Sequence, residues 1–151
     1  MKIIREALDY SVPPPSYNVH FATTNLCVKN DGQLVMGRGN AKALNNAHPT
    51  AAALFGAKVK EGHYVYVKRI ESGMGLGLIG GFTVKNHWKD PAQLSLLVKS
   101  TNKLLDLATR YPTWTFHLPM PAVGLGGMPR HEVVSVIEIL PDNVLVYEVP
   151  R

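Results

Sequence analysis

Hydrophobic positions along the chain fall into short runs that are separated by polar segments rich in glycine, proline and asparagine. Six of these runs are enriched in Val, Ile, Thr and aromatic residues, a composition that is typical of β-strands. We therefore predict six strands, at residues 2–5, 18–23, 63–70, 76–84, 114–120 and 143–149.

Apolar residues between these runs recur at helical spacing. The clearest pattern covers residues 92–109, where Leu97 and Leu104 share one face with further leucines. Asp90 and Gln93 fit a capping box at the start of this pattern, so we expect Asp90 to cap the helix. The apolar face of this helix must pack against other apolar residues.

Two weaker helical patterns cover residues 129–140 and 40–60. The second pattern is interrupted at His48 and Pro49, because proline breaks a helix interior. Thr50 then provides a capping side chain for the second piece. Residues 30–32, Asn-Asp-Gly, predict a hairpin turn.

Strands that alternate with helices indicate the α/β class, with a largely parallel central sheet and helices on both faces. The chain has 151 residues, of which 46% are hydrophobic. This length supports one sizeable core and is short for two ordinary domains. We therefore predict that residues 1–151 form one domain.

The net charge of +5 favours anionic partners, which include nucleic acid, anionic nucleotides and acidic surfaces. The basic residues are scattered without a dense block, so charge alone does not choose among these partners. Neither a long apolar run nor a secretory signal is visible, and we expect a cytoplasmic protein that does not contact membranes. The single cysteine, Cys27, has no second cysteine for a disulfide or a zinc-ligand spacing.

Two glycine-rich stretches lie between a predicted strand and a predicted helix, at residues 37–39 and 124–127. The first N–H groups of a helix have no intrahelical partner, and glycine lets phosphate oxygens approach them closely. Arg38 would add a charge-assisted contact. Ligands of α/β sheets bind beyond the carboxyl ends of strands, so two such loops could hold a diphosphate between them. The plainer alternative is that these glycines only form tight turns.

Other motifs in the sequence are weaker. Residues 75–80 match the dinucleotide fingerprint G-x-G-x-x-G, but the residues that follow are strand-like and we reject the match. The six histidines lack zinc-ligand spacing, and we predict neither a metal nor a cofactor. His87 is a candidate acid or base, although a solvated loop histidine is the plainer interpretation. Trp88 fits either a lid over a nucleoside or an anchor for the following helix.

Four stretches, taken in order, resemble the macro domain, an ADP-ribose-binding module. They are "FATTN", "GQLVMGRGNAKAL", "FTVKNHWKDPAQLSLLVKS" and "LPMPAVGLGGMPRHEVVSVIEIL". The chain is most similar to the bacterial and phage branch, which is itself similar to the terminal ADP-ribose protein glycohydrolases. The resemblance implies a three-layer α/β/α sandwich with a mixed, six-stranded sheet and an ADP-ribose cleft.

The resemblance also implies a set of ligand-binding residues. Asp9 matches the acidic residue that accepts a hydrogen bond from the adenine amino group. Thr24 and Asn25 match the strand end beside the distal ribose. The two phosphate and ribose loops are matched by Gly37, Arg38, Gly39 and Asn40, and by Gly124, Leu125, Gly126, Gly127 and Met128.

The chain departs from the glycohydrolase branch, which attacks the distal ribose with a lysine and is assisted by an acidic residue. On the resemblance, these positions are Asn45 and Gly126, and neither can form a Schiff base or transfer a proton. Lys42 lies one helical turn before Asn45 and would replace it only if the helix were rotated. Pro129 and Arg130 stand where close relatives resemble Asp-Trp, which removes a carboxylate from the second loop.

We therefore weigh binding of ADP-ribose or a close derivative, whether free, 1″-phosphorylated or protein-linked, above lysine-based glycohydrolysis. Hydrolysis by a positioned water is an alternative, of which ADP-ribose-1″-phosphate hydrolysis is the first version to test. Asn25, Asn40 or His87 would then orient the water. An alternative from another class is a nucleic-acid-binding module that uses the positive charge. A third is a scaffold whose cleft has decayed.

We expect the protein to be a monomer. We also expect Gly126→Glu to block the diphosphate site by bulk and charge without unfolding the domain.

Overall fold

The computed structural model describes residues 1–72 and 75–150. The strands are β1 (Lys2–Ile4), β2 (Asn18–Thr24), β3 (Val65–Ser72), β4 (Gly75–Thr83), β5 (Thr115–Pro119) and β6 (Val144–Tyr147). The helices are α1 (Gly39–Ala47), α2 (Ala51–Lys60), α3 (Leu94–Arg110) and α4 (Arg130–Ile137). Each of the ten corresponds to a predicted element, with ends that differ by a few residues.

The six strands form one sheet in the order β1-β6-β5-β2-β4-β3. All neighbouring strands are parallel except β3, which runs antiparallel to β4 at the edge. The predicted mixed, largely parallel sheet is therefore confirmed. Residues 75–80 lie within β4, so a strand and not a helix follows this G-x-G-x-x-G stretch. The rejection of this stretch as a dinucleotide fingerprint is therefore confirmed.

Both faces of the sheet are covered by helices. Side chains along each strand alternate between the faces, so each face carries apolar residues that a helix layer buries. Val19 and Phe21 of β2 belong to the core cluster that includes residues of α3 and α4. Ala22 of the same strand belongs to the cluster that includes residues of α1 and α2. The three-layer α/β/α arrangement is thus confirmed. Of the helices in the described residues, none combines the length and the apolar character that crossing a bilayer requires.

The start of α3 differs from the prediction. The helix begins at Leu94 after Gln93, whose backbone is extended and whose side chain makes no capping bond. The Gln93 N–H instead donates to the Val84 carbonyl at 2.9 Å, and the Ala92 N–H donates to the Gly126 carbonyl at 2.9 Å. The predicted capping box is wrong, because tertiary partners bind these N–H groups and hold the segment extended.

The break between α1 and α2 lies at His48 and Pro49, as predicted. Thr50 occupies the N-cap position of α2, but its side chain makes no capping hydrogen bond, so its predicted capping contact is wrong. The turn at residues 30–32 is present, with Gly32 at φ +86°. It packs against α2 at Gly56, where an added Cβ would lie 1.9 Å from the Gly32 carbonyl oxygen.

Candidate functional site

A cavity of about 860 Å³ opens at the carboxyl ends of the parallel strands. Its wall includes Thr24 from the end of β2, Pro119 from the end of β5 and Tyr147 from the end of β6. Val84 and Lys85, which follow β4, complete this side. The crevice therefore lies where an α/β sheet places its ligands.

The first glycine loop forms one wall of this cavity, at the point where α1 begins. Gly37, Arg38, Gly39 and Asn40 all line it. Gly39 has φ +58°, a conformation that favours glycine. Within the described residues, the N–H groups of these four donate no backbone hydrogen bond. They are thus available for an anion at the start of a helix.

The side chain of Asn40 fastens this loop to the sheet. Its Oδ1 accepts from the Thr23 N–H at 2.8 Å, and its Nδ2 donates to the Thr23 Oγ1 at 2.9 Å. Both polar ends of the amide are therefore used to hold the start of α1 against the end of β2. The arrangement stabilises the loop geometry before any ligand binds.

The second glycine loop forms a further wall and is closed by its own backbone. Ala122 has φ +66°, and its carbonyl accepts from the Met128 N–H at 2.9 Å. The Gly127 N–H donates to the Val123 carbonyl at 3.0 Å. Such strained backbone is common where a loop is shaped for a ligand. In the part of the chain that the structure describes, the N–H groups of the residues between, 124–126, donate to no backbone carbonyl.

The two loops touch each other. A Cβ added at Gly39 would lie 3.2 Å from Cδ1 of Leu125 in the second loop. Lys85 also reaches the second loop, where its Nζ donates to the Leu125 carbonyl at 3.4 Å. The two sets of unpaired backbone N–H groups therefore belong to one cavity.

Lys85 is a cavity residue that the sequence analysis did not single out. It is half-buried, and its pKa is lowered first by burial and then by the nearby Arg38 guanidinium. A lysine with a lowered pKa holds a larger fraction of neutral amine at neutral pH than a solvated lysine does. The available signal was its position two residues after the end of β4, at the same carboxyl end of the parallel strands as Thr24.

A second missed residue is Glu148, which follows β6 and lines the cavity. Its side chain is 12% exposed. Arg130 binds it with Nε at 2.6 Å and Nη2 at 3.0 Å, and Arg5 binds it with Nη1 at 3.0 Å. Because two guanidiniums neutralise this carboxylate, it opposes an anionic ligand less than an unpaired carboxylate would.

Tyr147 lies at the same end of the cavity and is held by a chain of hydrogen bonds. Its hydroxyl lies 2.8 Å from Nδ1 of His117, whose Nε2 lies 2.7 Å from Oδ1 of Asn18. An amide oxygen only accepts, so the proton of His117 is on Nε2 and the Tyr147 hydroxyl donates to Nδ1. Burial lowers the pKa of His117, which favours this neutral form. The tyrosine ring is thereby fixed in the cavity wall.

The cavity has two chemically different ends. Neighbouring strands are about 4.8 Å apart, so the ends of β4 and β6, three steps apart in the sheet, are separated by roughly 14 Å. The end beside β4 carries Lys85 and the nearby Arg38. The end beside β6 carries Tyr147, with Leu8 and Val149 also in the wall. The β4 end thus carries two cations together with Trp88, and the β6 end carries Tyr147 and apolar residues beside the paired Glu148.

Most of the predicted ligand-binding residues are brought together here. The cavity is lined by Thr24, Asn25, Gly37, Arg38, Gly39, Asn40, Gly124, Leu125 and Gly126. Gly127 and Met128 lie on the other side of the second loop, where they line a smaller cavity. Their predicted contact with the ligand stays a prediction.

Asp9 is exposed and stands outside the cavity wall, although Leu8 and Tyr10 on either side of it are part of that wall. Its Oδ1 accepts from the Ser11 hydroxyl at 2.6 Å and from the Ser11 N–H at 2.9 Å. The Ser11 hydroxyl and then the Ser11 N–H lower the pKa of Asp9. The carboxylate is therefore ionised at neutral pH, and its contact with adenine stays a prediction.

The three candidate water-orienting residues differ in position. Asn25 lines the cavity, but its Nδ2 donates to the Val35 carbonyl at 3.0 Å and its Oδ1 accepts from the Cys27 N–H at 2.8 Å. Asn40 is engaged as described above. His87 stands outside the cavity wall, and its Nδ1 accepts from the Lys89 N–H at 3.2 Å. Their role in orienting a water stays a prediction, and the structure gives both asparagines a scaffold role.

Trp88, beside His87, lines the cavity and is half-buried. Its ring stacks on the His87 ring, with centroids 5.7 Å apart, and the Lys89 Nζ lies 5.1 Å from the Trp88 ring centroid. Of the two interpretations offered for Trp88, its place in the cavity wall favours the lid.

The positions that the resemblance assigns to the glycohydrolase machinery do not supply it. The Oδ1 of Asn45 accepts from the Ala52 N–H at 3.3 Å, and Lys42 is exposed on α1 outside the cavity wall. Across the described residues, no cluster of three or more His, Cys, Asp or Glu side chains could hold a metal ion.

Gly126 is unsuitable for the substitution proposed from the sequence. A Cβ at this position would lie 2.4 Å from the Ala122 carbonyl oxygen and 2.7 Å from its Cα. Both contacts are with backbone, so any side chain would displace the loop. Gly126→Glu would therefore change the loop itself as well as add bulk and charge, and the expectation that the domain stays folded remains a prediction. A substitution at Gly124, where an added Cβ meets no atom within 4 Å, tests the site without this displacement.

No protein-family model and no curated protein matches the sequence. Among solved structures, the macrodomain of Mycobacterium tuberculosis DarG is similar over 99% of this chain and 98% of that chain, at 23% identity and a TM-score of 0.74. The macrodomain of Thermus aquaticus DarG is similar over 99% and 97%, at 20% identity and a TM-score of 0.75. Thermosipho africanus DarTG in complex with ADP-ribose matches over 87% of this chain and 38% of that chain, at 17% identity and a TM-score of 0.70. These likenesses establish that the chain has the macrodomain fold, as the resemblance implied.

Proposed function

We propose that the cavity binds ADP-ribose or a close derivative of it. The observation that carries this proposal is the presence of two loops with unpaired backbone N–H groups in the wall of one cavity. Such groups at a helix start, together with a cation, form a site for phosphate. Support also comes from the Thermosipho africanus protein of the same fold, which holds ADP-ribose.

The two ends of the cavity suit the two halves of this ligand. The loops follow β2 and β5, which lie between β4 and β6 in the sheet, so a diphosphate would occupy the middle. The adenosine half would then lie beside Tyr147 and Leu8, where aromatic and apolar surface is available. The distal ribose would lie beside Lys85. A volume of about 860 Å³ is within the range of small-molecule sites.

Calorimetric titration tests this proposal against the nucleic-acid alternative. We expect one saturable site for ADP-ribose with Kd of roughly micromolar order. The alternative predicts tight binding of a single-stranded oligonucleotide that weakens steeply with salt, because counterions are released from phosphates. If the protein does not bind ADP-ribose but binds the oligonucleotide tightly, the proposal is overturned.

A second candidate function, covalent chemistry at the distal ribose, is favoured by Lys85. Its neutral amine would attack C1″ of the ring-opened sugar, and loss of water would give an imine. The second loop supplies no carboxylate near this amine, since Gly126 and Met128 occupy the relevant stretch. Proton transfer would therefore rely on water. For this reason we propose ligand binding as the first candidate function and covalent catalysis as the second.

Reductive trapping tests the covalent step. In the presence of ADP-ribose and cyanoborohydride, we expect a stable adduct on Lys85, because the hydride reduces the imine to a secondary amine. Peptide mass analysis should find this adduct on Lys85 in preference to Lys42, which is exposed on α1. Excess ADP should suppress the adduct by filling the cavity. Equal labelling of both lysines, or labelling that ADP leaves unchanged, would reject the covalent role.

We propose further that residues 1–151 act as one monomeric, cytoplasmic binding unit. In support, both helical layers pack against the same sheet and leave the cavity open at one end of it. A solution mass equal to that of one chain, measured by light scattering after size-exclusion chromatography, would agree with the monomer.

A further inference from the structure

A second cavity of about 540 Å³ lies on the other side of the second glycine loop. Four residues, Val123, Gly124, Glu148 and Val149, line both cavities. Glu148 and Val149 follow β6, whereas Val123 and Gly124 belong to the second loop, so the shared wall extends from the middle of the main cavity to the end that carries Tyr147. This second cavity adjoins the end where the adenosine half of the ligand would lie.

The second cavity is lined by two arginines that share one carboxylate. Arg5 follows β1 and Arg130 begins α4, and both are paired with Glu148. The side chain of Glu148 is 12% exposed, whereas those of Arg5 and Arg130 are 66% and 44% exposed. Two guanidiniums and one carboxylate leave one positive charge in excess. The buried carboxylate fixes both guanidiniums, and their outer parts face solvent.

The guanidiniums retain hydrogen-bonding capacity for an anion. A guanidinium has five N–H donors. Arg5 reaches Glu148 with Nη1, and Arg130 reaches it with Nε and Nη2. The remaining donors can bind phosphate oxygens in the planar geometry that arginine provides. Gly127 also lines this cavity, and a Cβ added there would meet no atom within 4 Å, so the space beside it is open.

We propose that this cavity binds a phosphate ester carried on the adenosine ribose, so that the preferred ligand is ADP-ribose with an additional 2′- or 3′-phosphate. The inference rests on the proposed function, because it uses the position of the adenosine half. The diphosphate occupies the main cavity, and the added phosphate passes the shared wall at Gly124 and Val149 to reach Arg5 and Arg130.

The test compares the affinities of ADP-ribose, ADP-ribose 2′-phosphate and ADP-ribose 3′-phosphate by calorimetry. We expect at least one phosphorylated ligand to bind about 5- to 10-fold more tightly than ADP-ribose, as a charge-assisted contact at an exposed site provides. Arg5→Gln should abolish this gain and lower the affinity for ADP-ribose by a smaller factor than that for the phosphorylated ligand, because Arg130 still pairs with Glu148. Arg110→Gln is the matched control, since Arg110 is an exposed arginine paired with Asp106 on α3, and it should keep the gain.

The outcomes separate this inference from the proposed function. A protein that binds ADP-ribose but gains nothing from either added phosphate overturns this inference alone. A gain that persists in the folded double variant Arg5→Gln/Arg130→Gln also overturns it. A folded protein that binds none of the three ligands overturns the proposed function and this inference together. Inorganic phosphate alone should compete with the phosphorylated ligand more strongly than with ADP-ribose.

Discussion

Substituting Gly124→Glu is expected to weaken ADP-ribose binding by at least about 100-fold, since a like charge set against a bound anion costs several kcal/mol. Gly124 lines the cavity within the second loop, and the space around its missing Cβ is open. Its φ is outside the left-handed region, so a side chain causes no backbone strain there. The carboxylate would occupy the position that we assign to the diphosphate. Titration calorimetry with ADP-ribose measures the loss.

Two variants at the same position separate charge from bulk. Gly124→Gln has the same size without the charge and should lose less affinity than Gly124→Glu. Gly124→Ala should bind nearly as the original protein does, because its Cβ meets no neighbour. Thermal unfolding should show all three variants folded. If folded Gly124→Glu binds ADP-ribose with unchanged affinity, the diphosphate does not lie beside this loop.

A loss of stability of roughly 3 kcal/mol between pH 6.5 and pH 4 is expected from His20 alone, at about 1.4 kcal/mol per unit of pKa shift. His20 lies on β2, is 6% exposed, and its Nδ1 has no hydrogen-bond partner in the described residues. Its pKa is lowered to about 4, first by burial and then by His117 and His48, while Asp9 acts in the opposite direction.

The sign follows from which state binds the proton first. In the unfolded chain a histidine titrates near pH 6.5, whereas His20 in the folded protein titrates near pH 4. As the pH falls, the unfolded state is protonated first, so the free energy of unfolding decreases between these two values. The contribution of His20 to the free energy of unfolding is fully present above pH 6.5. Below pH 4 it has been lost and changes little with further acidification. The lowered pKa values of His117 and His48 add losses of the same sign.

His20→Phe tests this expectation. The ring can keep its edge-on packing with Tyr10 and His117, whose centroids lie 6.3 Å and 5.1 Å from that of His20. Denaturant unfolding at pH 7, 5.5 and 4 should show a smaller loss in the variant, by roughly 3 kcal/mol over this range. His131→Gln removes an exposed histidine on α4 and is the control. An equal loss in His20→Phe and in the original protein would contradict the assignment.

Local patterns in the sequence predicted the secondary structure well, because hydrophobic periodicity reflects which face of an element is buried. The six strands and four helices follow from this periodicity and from breakers such as Pro49. The two glycine loops were also visible, since each lies between a predicted strand and a predicted helix. The helix boundary at Asp90 was wrong, because the Ala92 and Gln93 N–H groups have partners that are distant in sequence.

The sequence by itself determined the order of the elements, the α/β class and the two loops that could hold a diphosphate. The tertiary structure alone decided which side chains share the cavity with these loops. Lys85 and Glu148 are 63 residues apart in sequence, and nothing local links them, yet the strand order puts them at opposite ends of one cavity. It also brought Arg5 and Arg130 to the same carboxylate. Such contacts arise from the packing of parallel strands, whose neighbours in the sheet are distant in sequence. Local periodicity in the sequence therefore does not predict them.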